Sequence, residues 1–157
     1  MATEIEHKFL VANDDWRAFV THSENYQQGY LNSDETSSVR VRIAGEKAWL
    51  NIKSATIGTQ RLEFEYEIPV ADAQQMIVTL CHKPLIEKTR YFIKQAPHTW
   101  EIDVFTGENQ GLIVAEIELS AIGEAFHKPA WLGEEVTEDV RYYNNNLSRY
   151  PFSQWAA

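Results

Sequence analysis

Charged and apolar residues alternate along several segments of this 157-residue chain, and that alternation restricts its fold more than any other feature. In the longest run, residues 61–68, an arginine and three glutamates take every second position, and apolar residues take the positions between them. Successive side chains of a β-strand point to opposite faces of the sheet. The pattern therefore predicts strands that carry one charged face and one apolar face.

The same reading extends over most of the chain. Strands are expected at residues 4–11, 26–31, 39–43, 48–53, 61–68, 88–93, 100–105 and 112–119, and their short links make nearly all of them antiparallel. Short helices are expected at residues 13–22, 72–82, 121–126 and 138–147. Gly45 and Glu46 indicate a hairpin turn, and residues 55–59 indicate a loop.

A charged strand face has two ordinary explanations: a sheet that exposes one face to solvent, or a closed barrel with a polar interior. Two details favour the barrel. The charged faces carry both signs, and they lack the Thr, Ser and Gln that are common on solvated strands. We therefore expect a mainly β (α+β) protein, an eight-stranded antiparallel β-barrel tunnel with a few short helices, including one near the C-terminus. A barrel of this size can hold one small ligand.

Composition limits the classes of function. The length fits a single domain over residues 1–157. A formal net charge of −9 argues against nucleic-acid binding, and the absence of a run of eighteen apolar residues argues against a membrane span. A single cysteine, Cys81, fits a cytoplasmic protein. The scattered histidines lack zinc-ligand spacing, and no glycine-rich phosphate loop precedes a helix.

The inward faces of the expected strands supply a set of charged side chains. The basic members are Lys8, Arg40, Arg42, Lys53, Arg61, Lys88 and Arg90, and the acidic members are Glu4, Glu6, Glu63, Glu65, Asp103, Glu116 and Glu118. Guanidinium and ammonium groups bind phosphate oxygens, and carboxylates bind hard divalent cations that bind the same phosphates. A lumen with both signs therefore suits a complex of polyphosphate with metal.

The order of these residues resembles a known family. The segment Glu4-Ile5-Glu6-His7-Lys8 is similar to the ExExK signature of the triphosphate tunnel metalloenzymes, also called the CYTH superfamily. Further elements follow in the order of that family: Arg40-x-Arg42, Lys53, Arg61-x-Glu63-x-Glu65, Lys88-x-Arg90, Glu101-Ile102-Asp103 and Glu116-x-Glu118. The stretch from Trp131 to Asn145 is similar to the closing segment of compact bacterial members.

The resemblance implies an eight-stranded tunnel that binds a small-molecule triphosphate together with Mg²⁺ or Mn²⁺, two ions in all. By position it implies that Glu4, Glu6, Glu116 and Glu118 bind one ion, and that Asp103, with Glu63 or Glu65, binds a second or positions water. It implies substrate binding by Lys8, Tyr30, Arg40, Arg42, Lys53, Lys88, Arg90 and Arg141. Arg61 could bind phosphate or pair with an acid on its own strand. Lys8, Arg42, Lys53 and Asp103 are the expected catalytic residues.

The expected activity is metal-dependent hydrolysis of the terminal phosphoryl group of inorganic triphosphate. The expected lumen is lined almost wholly by charge, with few aromatic residues to receive a heterocycle. Three alternatives stay open: a class IV adenylate cyclase, a thiamine triphosphatase, and a non-catalytic module that binds polyphosphate. Anion binding alone does not require the four carboxylates Glu4, Glu6, Glu116 and Glu118, which disfavours the last.

Overall fold

The computed structural model describes residues 2–34, 36–54 and 59–155. The strands are β1 (Ala2–Val11), β2 (His22–Ser33), β3 (Ser37–Ala44), β4 (Lys47–Ser54), β5 (Gln60–Ile68), β6 (Ile86–Gln95), β7 (His98–Phe105), β8 (Ile113–Glu118) and β9 (Leu132–Glu135). The α-helices are α1 (Val70–Thr79) and α2 (Asn144–Leu147). Short 3-10 helices cover Asp15–Phe19, Gly107–Asn109, Val140–Tyr142 and Phe152–Gln154. Residues 55–58 of the predicted loop lie outside the described residues.

Eight antiparallel strands close into a barrel in the order β1-β5-β4-β3-β2-β6-β7-β8, with β8 returning to β1. The predicted fold class is therefore confirmed. β1 forms the seam of the barrel. Ala2 at its start pairs with Glu63 of β5, whereas Phe9 near its end pairs with Glu135 of the extra strand β9. β9 can approach this closely because Gly133 has no side chain: a Cβ there would lie 2.9 Å from the Leu10 carbonyl oxygen.

The strand alternation sends charged residues inward and apolar residues outward. On β3, Arg40 and Arg42 face the lumen, whereas Val41 between them is fully buried on the outer face. The β3–β4 hairpin turns at Gly45, whose φ of 62° lies in the left-handed region that glycine adopts without strain. The register of β3 with β4 is regular along its whole length. This regularity keeps the charged face continuous from strand to strand.

The hydrophobic core lies outside the barrel wall, under elements that cover it. α1 packs Ala73 and Ile77 against the outer side of β3 and β4. On the other side, Trp16, Trp100 and Trp131 belong to one buried cluster. None of the helices in the described part of the chain is long and apolar enough to cross a membrane.

Three of the predicted helices are shorter or absent. Residues 121–126 form a turn: Gly123 has a φ of 79°, and the Glu124 side chain accepts hydrogen bonds from the backbone N–H and hydroxyl of Ser120. The first predicted helix is reduced to the 3-10 helix Asp15–Phe19 because Val20 is extended. The last is divided into a 3-10 helix and α2 by the extended backbone of Tyr143.

Candidate functional site

The barrel lumen contains a cavity of about 270 Å³. All but two of the predicted site residues line it. Those on the wall are Glu4, Glu6, Lys8, Tyr30, Arg40, Arg42, Lys53, Arg61, Glu63, Glu65, Lys88, Arg90, Glu116 and Glu118. The structure brings these side chains to one place, and their individual roles remain predictions. The two exceptions are Asp103 and Arg141.

Carboxylates from β1, β5 and β8 form one side of the cavity, which we call the acidic wall: Glu4, Glu6, Glu63, Glu116 and Glu118. Basic side chains neutralise part of it. Lys53 Nζ and an Arg61 nitrogen each lie 2.8 Å from a Glu4 oxygen. Lys8 Nζ donates to Glu116 at 2.7 Å and lies 3.1 Å from Glu6. Arg61 thus pairs with acids on β1, not with an acid on its own strand.

The carboxylates of the acidic wall differ in their protonation. Burial raises the pKa of Glu4, but Lys53 and Arg61 outweigh it and hold that pKa well below its ordinary value. Burial and the nearby charge of Glu116 instead raise the pKa of Glu6. Burial and surrounding carboxylates, Glu4 first among them, raise the pKa of Glu118 to about 7. The raised pKa values of Glu6 and Glu118 show that the nearby basic side chains do not offset all of the negative charge that these carboxylates would carry when ionised.

Such a donor set fits a divalent cation. Glu6 and Glu118 are direct partners on neighbouring strands, and like charges in that arrangement repel unless a cation lies between them. Oxygen ligands of this kind suit Mg²⁺ and Mn²⁺. Among the described residues, no three His, Cys, Asp or Glu side chains already converge as closely as in a preformed metal site. Several of the carboxylates are turned toward basic side chains instead.

Four cations from β3 and β6 form the opposite side, the basic wall: Arg40, Arg42, Lys88 and Arg90. Burial and the neighbouring guanidiniums of Arg40 and Arg90 lower the pKa of Arg42 to about 9. Burial lowers the pKa of Lys88 to about 7, although Asp103 opposes the shift. The Nε atom of Arg40 is buried and forms no hydrogen bond with any described residue. Positive charge is concentrated here, and an anion would relieve it.

Asp103 lies behind the basic wall and not on the cavity surface. Its side chain is fully buried, and its oxygens accept hydrogen bonds from Arg90 Nε and Nη2 and from Lys88 Nζ at 2.7 to 2.9 Å. These contacts lower the pKa of Asp103 to about 2 despite its burial. Asp103 is therefore covered by Lys88 and Arg90 in this structure, and its binding of a metal ion or positioning of water stays a prediction. The residue holds Lys88 and Arg90 in place.

Arg141 lies outside the cavity. Its guanidinium is about half exposed, pairs with Asp139 at 2.7 Å and lies over the Trp155 ring. Asp139 also accepts a hydrogen bond from the Arg141 backbone N–H, so this pair caps the 3-10 helix Val140–Tyr142. The Arg141 side chain is thus engaged away from the lumen in this structure, and its contact with the phosphates stays a prediction.

Several wall residues were not predicted from the sequence. They are Tyr26, Ser38, Asn51, Glu101, Tyr143, Asn144 and Asn145. Tyr26, Ser38 and Asn51 share the alternating face of predicted residues, so the strand period could have indicated them. Glu101 belongs to the family-ordered segment Glu101-Ile102-Asp103 but had been given no role; it lines the cavity and accepts a hydrogen bond from Arg90 at 3.0 Å. Tyr143 and Asn144 come from the C-terminal segment, which has no such period.

Two tyrosines that were not predicted, Tyr26 and Tyr143, join Tyr30 on the cavity wall. The Tyr26 ring lies beneath Arg42 at 4.4 Å and Arg90 at 5.2 Å. The Tyr143 ring lies within 5.6 Å of Lys8. Each ring already contacts a cation, an attractive arrangement between ammonium or guanidinium groups and aromatic faces. Tyr26 thus contacts two cations of the basic wall, and Tyr143 contacts Lys8, which pairs with the acidic wall.

A closed antiparallel barrel whose lumen is lined by opposed acidic and basic walls defines a tunnel protein built to hold a charged ligand. The CYTH domain model matches residues 2–150. The chain belongs to the CYTH family, and the resemblance seen in its motifs is confirmed.

Relatives of this chain include two inorganic triphosphatases. One, from Acetivibrio thermocellus, is 46% identical over 155 residues, which cover 99% of each protein. The other, from Nitrosomonas europaea, is 37% identical over 150 residues, which cover 93% of this chain and 97% of the relative. A crystal structure of an inorganic triphosphatase matches with a TM-score of 0.66 at 35% identity and covers 92% of this chain and 97% of its own. The PH1012 protein from Pyrococcus horikoshii OT3, at 19% identity and a TM-score of 0.61, shares the fold.

Proposed function

We propose that this protein hydrolyses the terminal phosphoryl group of inorganic triphosphate with the help of Mg²⁺ or Mn²⁺. The observation that carries the proposal is the pair Arg40 and Arg42. Both line the cavity, and neither forms an ion pair with a carboxylate in the described part of the chain. Neighbouring guanidiniums without a counter-charge require an anion, and phosphate oxygens match their geometry. The two relatives named inorganic triphosphatase support the same substrate.

The basic wall would bind the chain of phosphates. Lys88 and Arg90 lie beside Arg42 and are fixed from behind by Asp103, so their donors are aligned before the substrate enters. Phosphoryl transfer requires mainly alignment of the reacting atoms and stabilisation of charge on the leaving group. A set of fixed cations supplies both without reorganisation at the moment of reaction.

The acidic wall would hold the divalent metal, with Glu4, Glu6, Glu116 and Glu118 as the ligands and Glu63 and Glu65 available to a second ion. A bound divalent ion would neutralise phosphate oxygens and lower the pKa of a coordinated water. Lys8, Lys53 and Arg61 now pair with these carboxylates. We expect their contacts to pass to phosphate oxygens when metal and substrate enter together, so that no carboxylate or cation is left uncompensated.

The size of the cavity favours a small inorganic anion. Its volume of about 270 Å³ lies below the range of sites for drug-sized ligands, about 300–1,000 Å³. A nucleoside would also need a free aromatic face on which to stack its base. The rings of Tyr26 and Tyr143 are already covered by basic side chains. ATP and thiamine triphosphate are therefore expected to bind through their phosphates alone and to turn over less efficiently.

The test compares kcat/KM for phosphate release from inorganic triphosphate, ATP and thiamine triphosphate, with Mg²⁺, with Mn²⁺ and with excess chelator. Inorganic triphosphate should give the highest value, and chelator should abolish release. The products from ATP should also be searched for cyclic AMP. Preference for ATP with accumulation of cyclic AMP would indicate an adenylate cyclase instead. Preference for thiamine triphosphate would indicate a thiamine triphosphatase. Tight triphosphate binding with no turnover under any metal would indicate a binding module.

A further inference from the structure

Two neutral amides connect the cations of the basic wall to the C-terminal segment. Gln28 on β2 is fully buried, and its Oε1 accepts a hydrogen bond from Arg42 Nε at 2.9 Å. Gln28 Nε2 donates to Asn144 Oδ1 at 3.0 Å. The same Asn144 oxygen accepts a second hydrogen bond, from Lys88 Nζ, at 3.0 Å. One continuous chain of hydrogen bonds therefore runs from Arg42 to Lys88.

The orientation of both amides is fixed by their neighbours. Arginine and lysine have only donors, so an amide oxygen has to face each of them. Gln28 must direct Oε1 to Arg42, which leaves Nε2 for Asn144. Asn144 must then direct its oxygen to both Gln28 and Lys88. Reversal of either amide would place two donors or two acceptors against each other.

The neutrality of these acceptors matters for the charge of the site. Lys8 and Arg61 on the other side of the cavity are held by carboxylates, which cancel part of their charge. Arg42 is held by a neutral carboxamide instead, so its direction is fixed while its full positive charge stays available. Lys88 has one carboxylate partner, Asp103, and its second contact, to Asn144, is neutral.

We propose that Gln28 and Asn144 are positioning residues that hold Arg42 and Lys88 toward the phosphates without neutralising them. This inference rests on the proposed binding of inorganic triphosphate. It assigns a purpose to a fully buried glutamine that does not itself line the cavity. It also makes the C-terminal segment part of the binding site, because Asn144 is the first residue of α2.

The experiment is a double-mutant cycle read by calorimetric binding of inorganic triphosphate in excess chelator, so that no turnover occurs. Gln28→Met keeps the volume and removes both hydrogen bonds. It should weaken binding about tenfold, as expected for loss of a hydrogen bond to a charged group. In the Arg42→Ala background the same change should have a clearly smaller effect, because only the indirect link of Gln28 to Lys88 through Asn144 then remains. Gln74→Met, an exposed change on α1, is the matched control and should bind like the unmodified protein.

Asn144→Asp tests the requirement for neutrality. Aspartate can accept both hydrogen bonds, but its charge would offset that of Lys88. We expect weaker triphosphate binding with no fall in melting temperature, which separates a loss of charge from a loss of structure. The variant also covers the case in which Gln28→Met fails to fold.

The outcomes distinguish this inference from the proposed function. Additive effects of Gln28→Met and Arg42→Ala, or unchanged binding by Asn144→Asp, would overturn the positioning role while triphosphate hydrolysis by the unmodified protein continued. Failure of the unmodified protein both to bind triphosphate in chelator and to hydrolyse it with Mg²⁺ or Mn²⁺ would overturn both. A non-additive cycle together with weakened binding by Asn144→Asp is the result that supports the inference.

Discussion

Glu6 and Glu118 lie directly opposite each other across β1 and β8, with both side chains on the cavity wall. Glu6 has Lys8 and Arg61 within 3.1 Å, whereas Glu118 forms no ion pair with any residue in the described ranges. Two facing carboxylates with too few cations destabilise the fold and favour a metal ion. The relationship therefore connects the stability of the empty barrel with its capacity to bind metal.

Glu118→Gln should stabilise the metal-free protein at alkaline pH. The pKa of Glu118 is raised in the fold from its ordinary value of 4.5 to about 7, so its ionisation costs stability as pH rises through that interval. Glutamine removes this cost. In excess chelator we expect the melting temperature to rise by about 2–4 °C at pH 8 and to change little near pH 4.5. The rise should be this small because solvent screens the charge of the exposed Glu118 side chain. Glu46→Gln, at the exposed β3–β4 hairpin, is the control.

The same Glu118→Gln variant should lose most of its metal-dependent turnover, because one proposed metal ligand loses its charge. The dependence on Mg²⁺ concentration should shift to higher concentrations in the same assay. Normal turnover at limiting Mg²⁺ would remove Glu118 from the metal site. An equal rise in melting temperature at both pH values would mean that the gain in stability does not come from the ionisation of Glu118.

Lys88 should set the alkaline limit of kcat/KM for triphosphate. Burial lowers its pKa to about 7 in the substrate-free protein, and only the protonated form attracts phosphate. kcat/KM should therefore fall as pH rises above about 7, whereas kcat should hold to higher pH, since bound phosphate raises the pKa again. Lys88→Arg should remove this alkaline fall, even if its absolute rate is lower, because guanidinium stays charged. An unchanged pH profile in that variant would mean that another group causes the alkaline fall in kcat/KM.

Arg42→Ala and Arg141→Ala should differ in their effect on KM, because Arg42 lines the lumen and Arg141 lies outside it. Arg42 belongs to the basic wall of the cavity, so its loss should raise KM for triphosphate by about tenfold or more. Arg141 pairs with Asp139 outside the cavity, so its loss should change KM by less than about twofold. Steady-state kinetics of the two variants, with melting temperatures beside them, make the comparison. Equal damage from both would mean that Arg141 moves into the lumen during turnover.

Asp103→Asn should damage the fold far more than Asp139→Asn. Removal of the Asp103 charge leaves buried Lys88 without a counter-ion and leaves Arg90 with Glu101 and Glu116 alone, which should cost about 3–5 kcal/mol of unfolding free energy. Asp139→Asn breaks a partly exposed pair and should cost less than about 1 kcal/mol. Denaturant unfolding of both variants measures the difference. A stable, inactive Asp103→Asn would revive a direct role for this carboxylate in the reaction.

The case of Asp103 shows what strand alternation can and cannot predict. Asp103 pairs with Arg90 and shares its inward face, as the alternation indicates. The period gives the face of a side chain but not its depth. The longer side chains of Arg90 and Lys88 extend over the shorter aspartate and cover it completely. Inward acidic and basic residues were thus predictable, whereas their order from wall to centre was not.

The C-terminal segment shows a different limit. Between Val140 and Leu147 the backbone changes from 3-10 helix to extended to α-helix, so no single period assigns faces there. Arg141 was predicted in the site from the resemblance of the closing segment, but in this structure a local pair with Asp139 holds it outside the cavity. Asn144 enters the site through contacts with Gln28 and Lys88, which lie far from it in sequence. Uncharged residues with such distant partners leave no local signal.

The seam at β1 also determines when this barrel can form. β1 is the first strand in the chain, yet its partners are β5, β8 and β9, and Lys8 meets Glu116 at a separation of 108 positions. Contacts this distant in sequence lower folding rates, because a long loop must close before any of them forms. During synthesis the seam between β1 and β8 cannot close until β8 has left the ribosome. The tunnel and its two charged walls therefore come into existence together, in the final closure of the fold.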